Sequence, residues 1–161
     1  GLQSDGYLDP GPLGCIGVGT PFGVAASLAC PDRPVVVVTG DGAFGFNAME
    51  IDTAVRHKAP VLIIVANNGA WAIEVRDQQQ NHGKVVGTQL QFADHAAMAK
   101  AFGMHAQRVE KAEDLPAALA LATTVAWGMA ATGRLHSGVI IGWWFGWSLM
   151  EVAVRMASKA M

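Results

Sequence analysis

Two apolar runs set the pattern of this chain. Val35, Val36, Val37 and Val38 lead into Thr39-Gly40-Asp41-Gly42, and Val61, Leu62, Ile63, Ile64 and Val65 lead into Ala66-Asn67-Asn68. Neither run alternates with polar residues, and each stops at a turn-forming group, the signature of a fully buried parallel strand. Parallel neighbours need a crossover of a dozen or more residues. A helix over residues 47–57 supplies it, with Met49, Ile51, Ala54 and Val55 placed to share an inward face. The expectation is a β-α-β unit whose strand ends lie about 4.8 Å apart.

The flanks continue that rhythm. Residues 1–19 are dense in glycine and proline and read as a loop passing close to something, followed by a helix over residues 21–29 with Pro21 near its start. Pro31-Asp32-Arg33-Pro34 turns into the first strand. Residues 71–83 shift from apolar to polar and read as a substrate-facing loop or a solvated connection, with Trp71 and Ile73 either lining a pocket or packing on the sheet. His82 reads as a surface residue. Beyond it, Ala93-Asp94 opens a short helix ending at Gly103, residues 104–109 form a strand, and Glu113-Asp114 opens another helix. His95 and His105 fall in this scaffold as structural histidines. The fold class is α/β, a doubly wound, mostly parallel sheet with helices on both faces.

Composition narrows the alternatives. At 161 residues and 52% hydrophobic content, the chain carries one sizeable core. A net charge of −2 without a basic cluster gives no nucleic-acid footprint. Cys15 and Cys30, in packed glycine-alanine segments, are expected to be reduced core residues rather than a disulfide. No charged start precedes an apolar signal segment, so a cytoplasmic protein with no membrane span is expected.

The two strand ends carry the chemistry. In open α/β sheets, ligands bind beyond the carboxyl ends of the strands. Asp41 and Asn68 there offer a carboxylate and an amide oxygen, a hard pair suited to Mg²⁺, which takes its remaining ligands from phosphate and water. Gly40 and Gly42 let backbone N–H groups approach a diphosphate, with the start of the following helix adding its dipole.

Gly-Asp-Gly followed after residues 43–66, 24 in all, by Asn-Asn resembles the signature of thiamine-diphosphate-dependent enzymes. The resemblance implies that Asp41, Asn68 and the Ala70 carbonyl hold the metal, and that Gly40, Gly42, Ala43, Asn68 and Ala70 hold the diphosphate. GPLGCIGVGTPFGVAASLA resembles that family's approach loop. It places Ile16 as the wedge that bends the cofactor and the Gly14 carbonyl as acceptor for its aminopyrimidine; on the residues alone Ile16 reads as ordinary core. The reaction implied makes or breaks a C–C bond beside a carbonyl through a cofactor-bound carbanion.

The activating glutamate of the family lies on a separate pyrimidine-binding domain. Glu50, Glu74, Glu110, Glu113 and Glu151 are not in its motif, so no catalytic residue is assigned. The chain is expected to be one subunit of a two-chain enzyme or, as the start at Gly1 favours, a piece of a larger one. It would act as a homo- or hetero-oligomer with a pyrimidine-binding partner. The motifs are similar to the acetolactate synthase, oxalyl-CoA decarboxylase and 2-hydroxyacyl-CoA lyase branch, and Gly42-Ala43-Phe44-Gly45-Phe46 leans toward the acyl-CoA side. A non-catalytic cofactor-binding module and a nucleotide-binding α/β domain remain open alternatives. The resemblance covers residues 1–123 as the diphosphate-binding domain. Residues 124–161 form an atypical apolar tail, in which Val139-Ile140-Ile141 is the candidate last strand and Trp143, Trp144, Phe145 and Trp147 suggest a lid or interface.

Overall fold

A computed structural model describes residues 6–128 and 138–143. Its four described strands, β1 (Val35–Gly40), β2 (Val61–Asn67), β3 (His105–Val109) and β4 (Gly138–Trp143), form one parallel sheet in the order β1-β2-β4-β3. The β1–β2 register pairs Val35 with Val61 and Gly40 with Ala66, so the two strands end level. That alignment sets Asp41 opposite the start of the Asn67–Ala70 turn.

Helices cover both faces, as the apolar runs require. Val61, Ile63 and Val65 of β2 pack toward α1 (Gly19–Ala29), α3 (Glu50–Arg56) and α5 (His95–Ala101), in a core with Val24, Ile51 and Ala99. Leu62 and Ile64, on the opposite face by the two-residue period, join Leu115, Ala118 and Leu119 of α6 (Leu115–Thr123). α5 starts where Asp94 accepts the Ala97 N–H at 2.9 Å, an N-cap, and Gly103 follows its end at φ +87°.

Several expectations are corrected. β1 is not fully buried: only Val37 is, and Val38 is 36% exposed, because β1 stands at the edge of the described sheet while α6 lies over β3 and β4. The crossover is not one helix over residues 47–57 but two, α2 (Asp41–Phe46) and α3. Asn47 breaks it, turning its Nδ2 to donate to the Gly17 carbonyl at 2.9 Å. Met49 therefore precedes α3 and is exposed, while Ile51 and Ala54 are fully buried. The first helix starts two residues earlier than expected, at Gly19, with Pro21 still in its first turn. Residues 71–83 are not a loop but α4 (Ala72–His82), capped by Gly83 at φ +66°; His82 is exposed as expected. Cys15 and Cys30 are free but exposed, so they are not core. Trp144, Phe145, Trp147 and the rest of the tail's lid or interface lie outside the described residues. Among the described residues no helix is long and apolar enough to cross a membrane.

Candidate functional site

Asp41 opens α2 directly beyond β1 and is only 5% exposed. Its Oδ2 accepts the Gly69 N–H at 3.0 Å, while the two ion pairs among the described residues, Arg56–Asp52 and Arg108–Glu110, are elsewhere. A buried carboxylate without a cationic side chain is costly, and a bound cation would relieve that cost. His95 does not relieve it. Burial pushes its pKa below the ordinary 6.5, a shift that the charges of Asp41 and Asp94 oppose, so the imidazole is neutral at neutral pH. Its ring meets Phe44 of α2 edge-on at 5.2 Å, which keeps it a packed part of the scaffold.

The turn after β2 supplies neutral oxygens. Asn68 is exposed, and its Oδ1 accepts the Ala70 N–H at 3.0 Å. Ala70 faces Gln89 across an isolated antiparallel bridge. The hydrogen bonds of that bridge use other carbonyls: Leu90 N–H donates to Gly69 at 2.7 Å and Trp71 N–H to Thr88 at 2.9 Å. The Ala70 carbonyl accepts from no described residue. Asp41, Asn68 and Ala70 thus stand together, bound through Gly69, as one anionic and two neutral hard oxygen donors. No group of three or more His, Cys, Asp or Glu side chains occurs among the described residues, and a hard cation such as Mg²⁺ commonly completes its shell with phosphate or water. The donor set fits Mg²⁺.

The glycines of the motif have different surroundings. A Cβ on Gly40 would meet nothing within 4 Å, so the space past the end of β1 is open to a ligand. Gly42 is buried beneath Trp71, where a Cβ would stand 2.8 Å from the indole; its place in the sequence is explained by packing. Ala43 is half-buried in the first turn of α2.

Gly14 and Ile16 reach this place indirectly. Gly14 closes a short turn over Gly11–Leu13 at φ +61°, and a Cβ there would meet open space. Ile16 is 52% exposed, which removes the core reading and fits a side chain that a ligand would cover. The loop is fixed next door, where Gly17 packs on Phe46, and Phe46 meets Trp71 edge-on at 5.7 Å. Gly17, Phe46, Trp71 and Gly42 form the link between the loop at residues 11–17 and the Asn67–Ala70 turn. Ile73 is 64% exposed on α4, so it does not pack on the sheet.

Sequence reasoning missed three residues. Asn67, 4% exposed, accepts the Gly69 N–H through Oδ1 at 3.1 Å and donates from Nδ2 to the Ala93 carbonyl at 3.2 Å. Phe92 covers Gly69, whose φ of +65° and lack of a side chain leave room for the ring. Gln78 takes both polar groups of the Val86 backbone, accepting its N–H at 2.9 Å and donating to its carbonyl at 3.2 Å. Only Asn67 carried a signal, its place in the Asn-Asn pair.

A family model described as the thiamine pyrophosphate enzyme, C-terminal TPP binding domain, matches residues 2–130. The chain is 40% identical over 114 residues to the acetolactate synthase large subunit IlvG of Mycobacterium tuberculosis, which covers 70% of this chain and 21% of that protein. It is 41% identical over 97 residues to human 2-hydroxyacyl-CoA lyase 2, covering 60% of this chain and 15% of the relative. The chain therefore spans between 15% and 21% of the length of these curated relatives. Among solved structures it is similar to a Rhodococcus jostii thiamine diphosphate-dependent 4-hydroxybenzoylformate decarboxylase, with a TM-score of 0.62, 30% identity, and coverage of 78% of this chain and 22% of that one.

Proposed function

The chain belongs to the thiamine-pyrophosphate-dependent enzymes as their C-terminal cofactor-binding domain, and from that premise we propose that it is the metal-and-diphosphate half of a C–C bond lyase. The proposed substrates are 2-hydroxyacyl-CoA or 2-oxo acids, and Mg²⁺ is the proposed metal. The cofactor supplies the electron sink that such bond cleavage requires. Asp41, Asn68 and the Ala70 carbonyl would hold the cation. Gly40, Gly42 and Ala43 would present backbone to the diphosphate. The exposed Ile16 and the Gly14 carbonyl would shape and anchor the ring end.

One observation carries this reading. Asp41 is buried without a cationic side chain and is hydrogen-bonded to the turn that presents Asn68 and Ala70. No glutamate of this chain is assigned to ionise the cofactor, so a pyrimidine-binding partner is part of the proposal. Calorimetric titration of the protein in its natural assembly with thiamine diphosphate tests it. Binding that needs Mg²⁺ is expected; metal-independent binding, or none, would overturn it.

The longer matched span in acetolactate synthase favours a carboligase as the second reading. Product assays separate the two. Cleavage of a 2-hydroxyacyl-CoA to an aldehyde and formyl-CoA supports the lyase, and condensation of two 2-oxo acid molecules with loss of carbon dioxide supports the carboligase.

A further inference from the structure

The metal turn has a feature that donor assignments leave unexplained. The Gly69 N–H is shared between two acceptors, Asp41 Oδ2 at 3.0 Å and Asn67 Oδ1 at 3.1 Å, and Asn67 is itself tied to the Ala93 carbonyl at 3.2 Å. Asp41 thus has two tasks, holding the turn and, on the proposed cofactor reading, holding a cation. A cation drawing on the carboxylate weakens what Oδ2 offers to Gly69. Asn67 Oδ1 is neutral and braced from the far side, so it keeps its share.

Resting on that reading, we infer that Asn67 is a positioning residue that takes over the Gly69 N–H when Asp41 turns to the metal. The turn then keeps one shape with and without the cation. Gly69 stays at its left-handed φ under Phe92, and the Asn68 and Ala70 oxygens are set before the ligand arrives. The cation does not have to compete with the protein for Asp41.

The test uses the protein in its natural assembly with thiamine diphosphate, following Mn²⁺ by electron paramagnetic resonance and the Gly69 amide by hydrogen exchange. Wild type is expected to bind Mn²⁺ and to protect Gly69 equally with Mg²⁺ present or absent. Asn67→Ala is expected to bind Mn²⁺ about 10-fold more weakly, the scale of lost support around a metal ligand. Its Gly69 amide should lose protection on loading with Mg²⁺. Asn67→Ser, whose hydroxyl can accept an N–H two residues on, is expected to recover most of the affinity. A purely structural residue would lower the melting temperature without this metal-dependent exchange.

A wild type that takes up no Mn²⁺ overturns the cofactor reading. A binding wild type with Asn67→Ala unchanged in affinity and exchange overturns the positioning role alone, as does Asn67→Ser no better than Asn67→Ala. Should Asn67→Ala not fold, Asn67→Ser and the wild-type exchange decide: loss of Gly69 protection in loaded wild type overturns the role.

Discussion

The Cα of Gly42 faces the Trp71 indole so closely that a methyl group on it would stand 2.8 Å from the ring. That ring has little freedom to retreat, since Phe46 meets it at 5.7 Å and the Trp71 backbone is held in place where its N–H donates to the Thr88 carbonyl. Gly42→Ala gains about 0.8–1 kcal/mol of helix propensity but loses about 1–3 kcal/mol to overpacking. A net loss is expected, read as a lower urea midpoint. Because Trp71 links the Asn67–Ala70 turn to the loop carrying Gly17, weaker thiamine diphosphate binding should accompany it.

Ile16 and Ile51 should separate ligand shaping from folding. Ile16 is half exposed, so Ile16→Ala is expected to change stability by no more than about 0.5 kcal/mol. Its effect should appear in cofactor-dependent turnover. Ile51 is fully buried, and Ile51→Ala should cost about 2–5 kcal/mol. Denaturant titration beside a turnover assay checks both.

Asp41→Asn keeps an oxygen for the Gly69 N–H while removing a buried charge. The variant without ligand should melt at a higher temperature than wild type, because no cationic side chain was there to lose. Its Mn²⁺ affinity in the presence of thiamine diphosphate should fall at least about 10-fold. Scanning calorimetry and a metal titration give the two numbers, with opposite signs expected.

His95 gives stability an acid limit. Burial lowers its folded-state pKa below the ordinary 6.5, with Asp41 and Asp94 opposing. Below about pH 6.5 the unfolded chain takes up the proton first, so this contribution, present at neutral pH, declines as pH falls toward the folded value. His95→Gln should flatten that part of the stability–pH curve. A cation beside Asp41 cancels part of the charge favouring the imidazolium, so NMR titration should show a still lower His95 midpoint in the metal-loaded protein.

How much of this was legible depended on what each residue packs against. β2 was plain from its apolar run, because burial on both faces leaves an unbroken signal, and the ends of β1 and β2 from the turn-forming residues at Gly40 and Asn67. α4 was not, since none of its residues is buried and so no apolar stripe marks it. The break between α2 and α3 depends on Asn47 reaching Gly17, 30 positions away, which local patterning does not contain. Half-burial of β1 follows from its place in the strand order. Asp41 and Asn68 could be placed at the strand ends from the sequence, and Ala70 entered only through the family resemblance, yet the work of Asn67 was hidden: its partners Gly69 and Ala93 become neighbours only once the turn folds back on the segment leading into α5.

α4 is joined to the body at its base. The bridge between Ala70 and Gln89 closes one end, and Gln78 clasps the returning strand of chain at Val86, while no side chain of the helix enters either core. Changes along Ala72–His82 other than at Gln78 can therefore accumulate without loosening the sheet or moving the oxygens at Asn68 and Ala70. A lineage carrying this fold can revise what its outer helix meets while the turn at its base stays fixed.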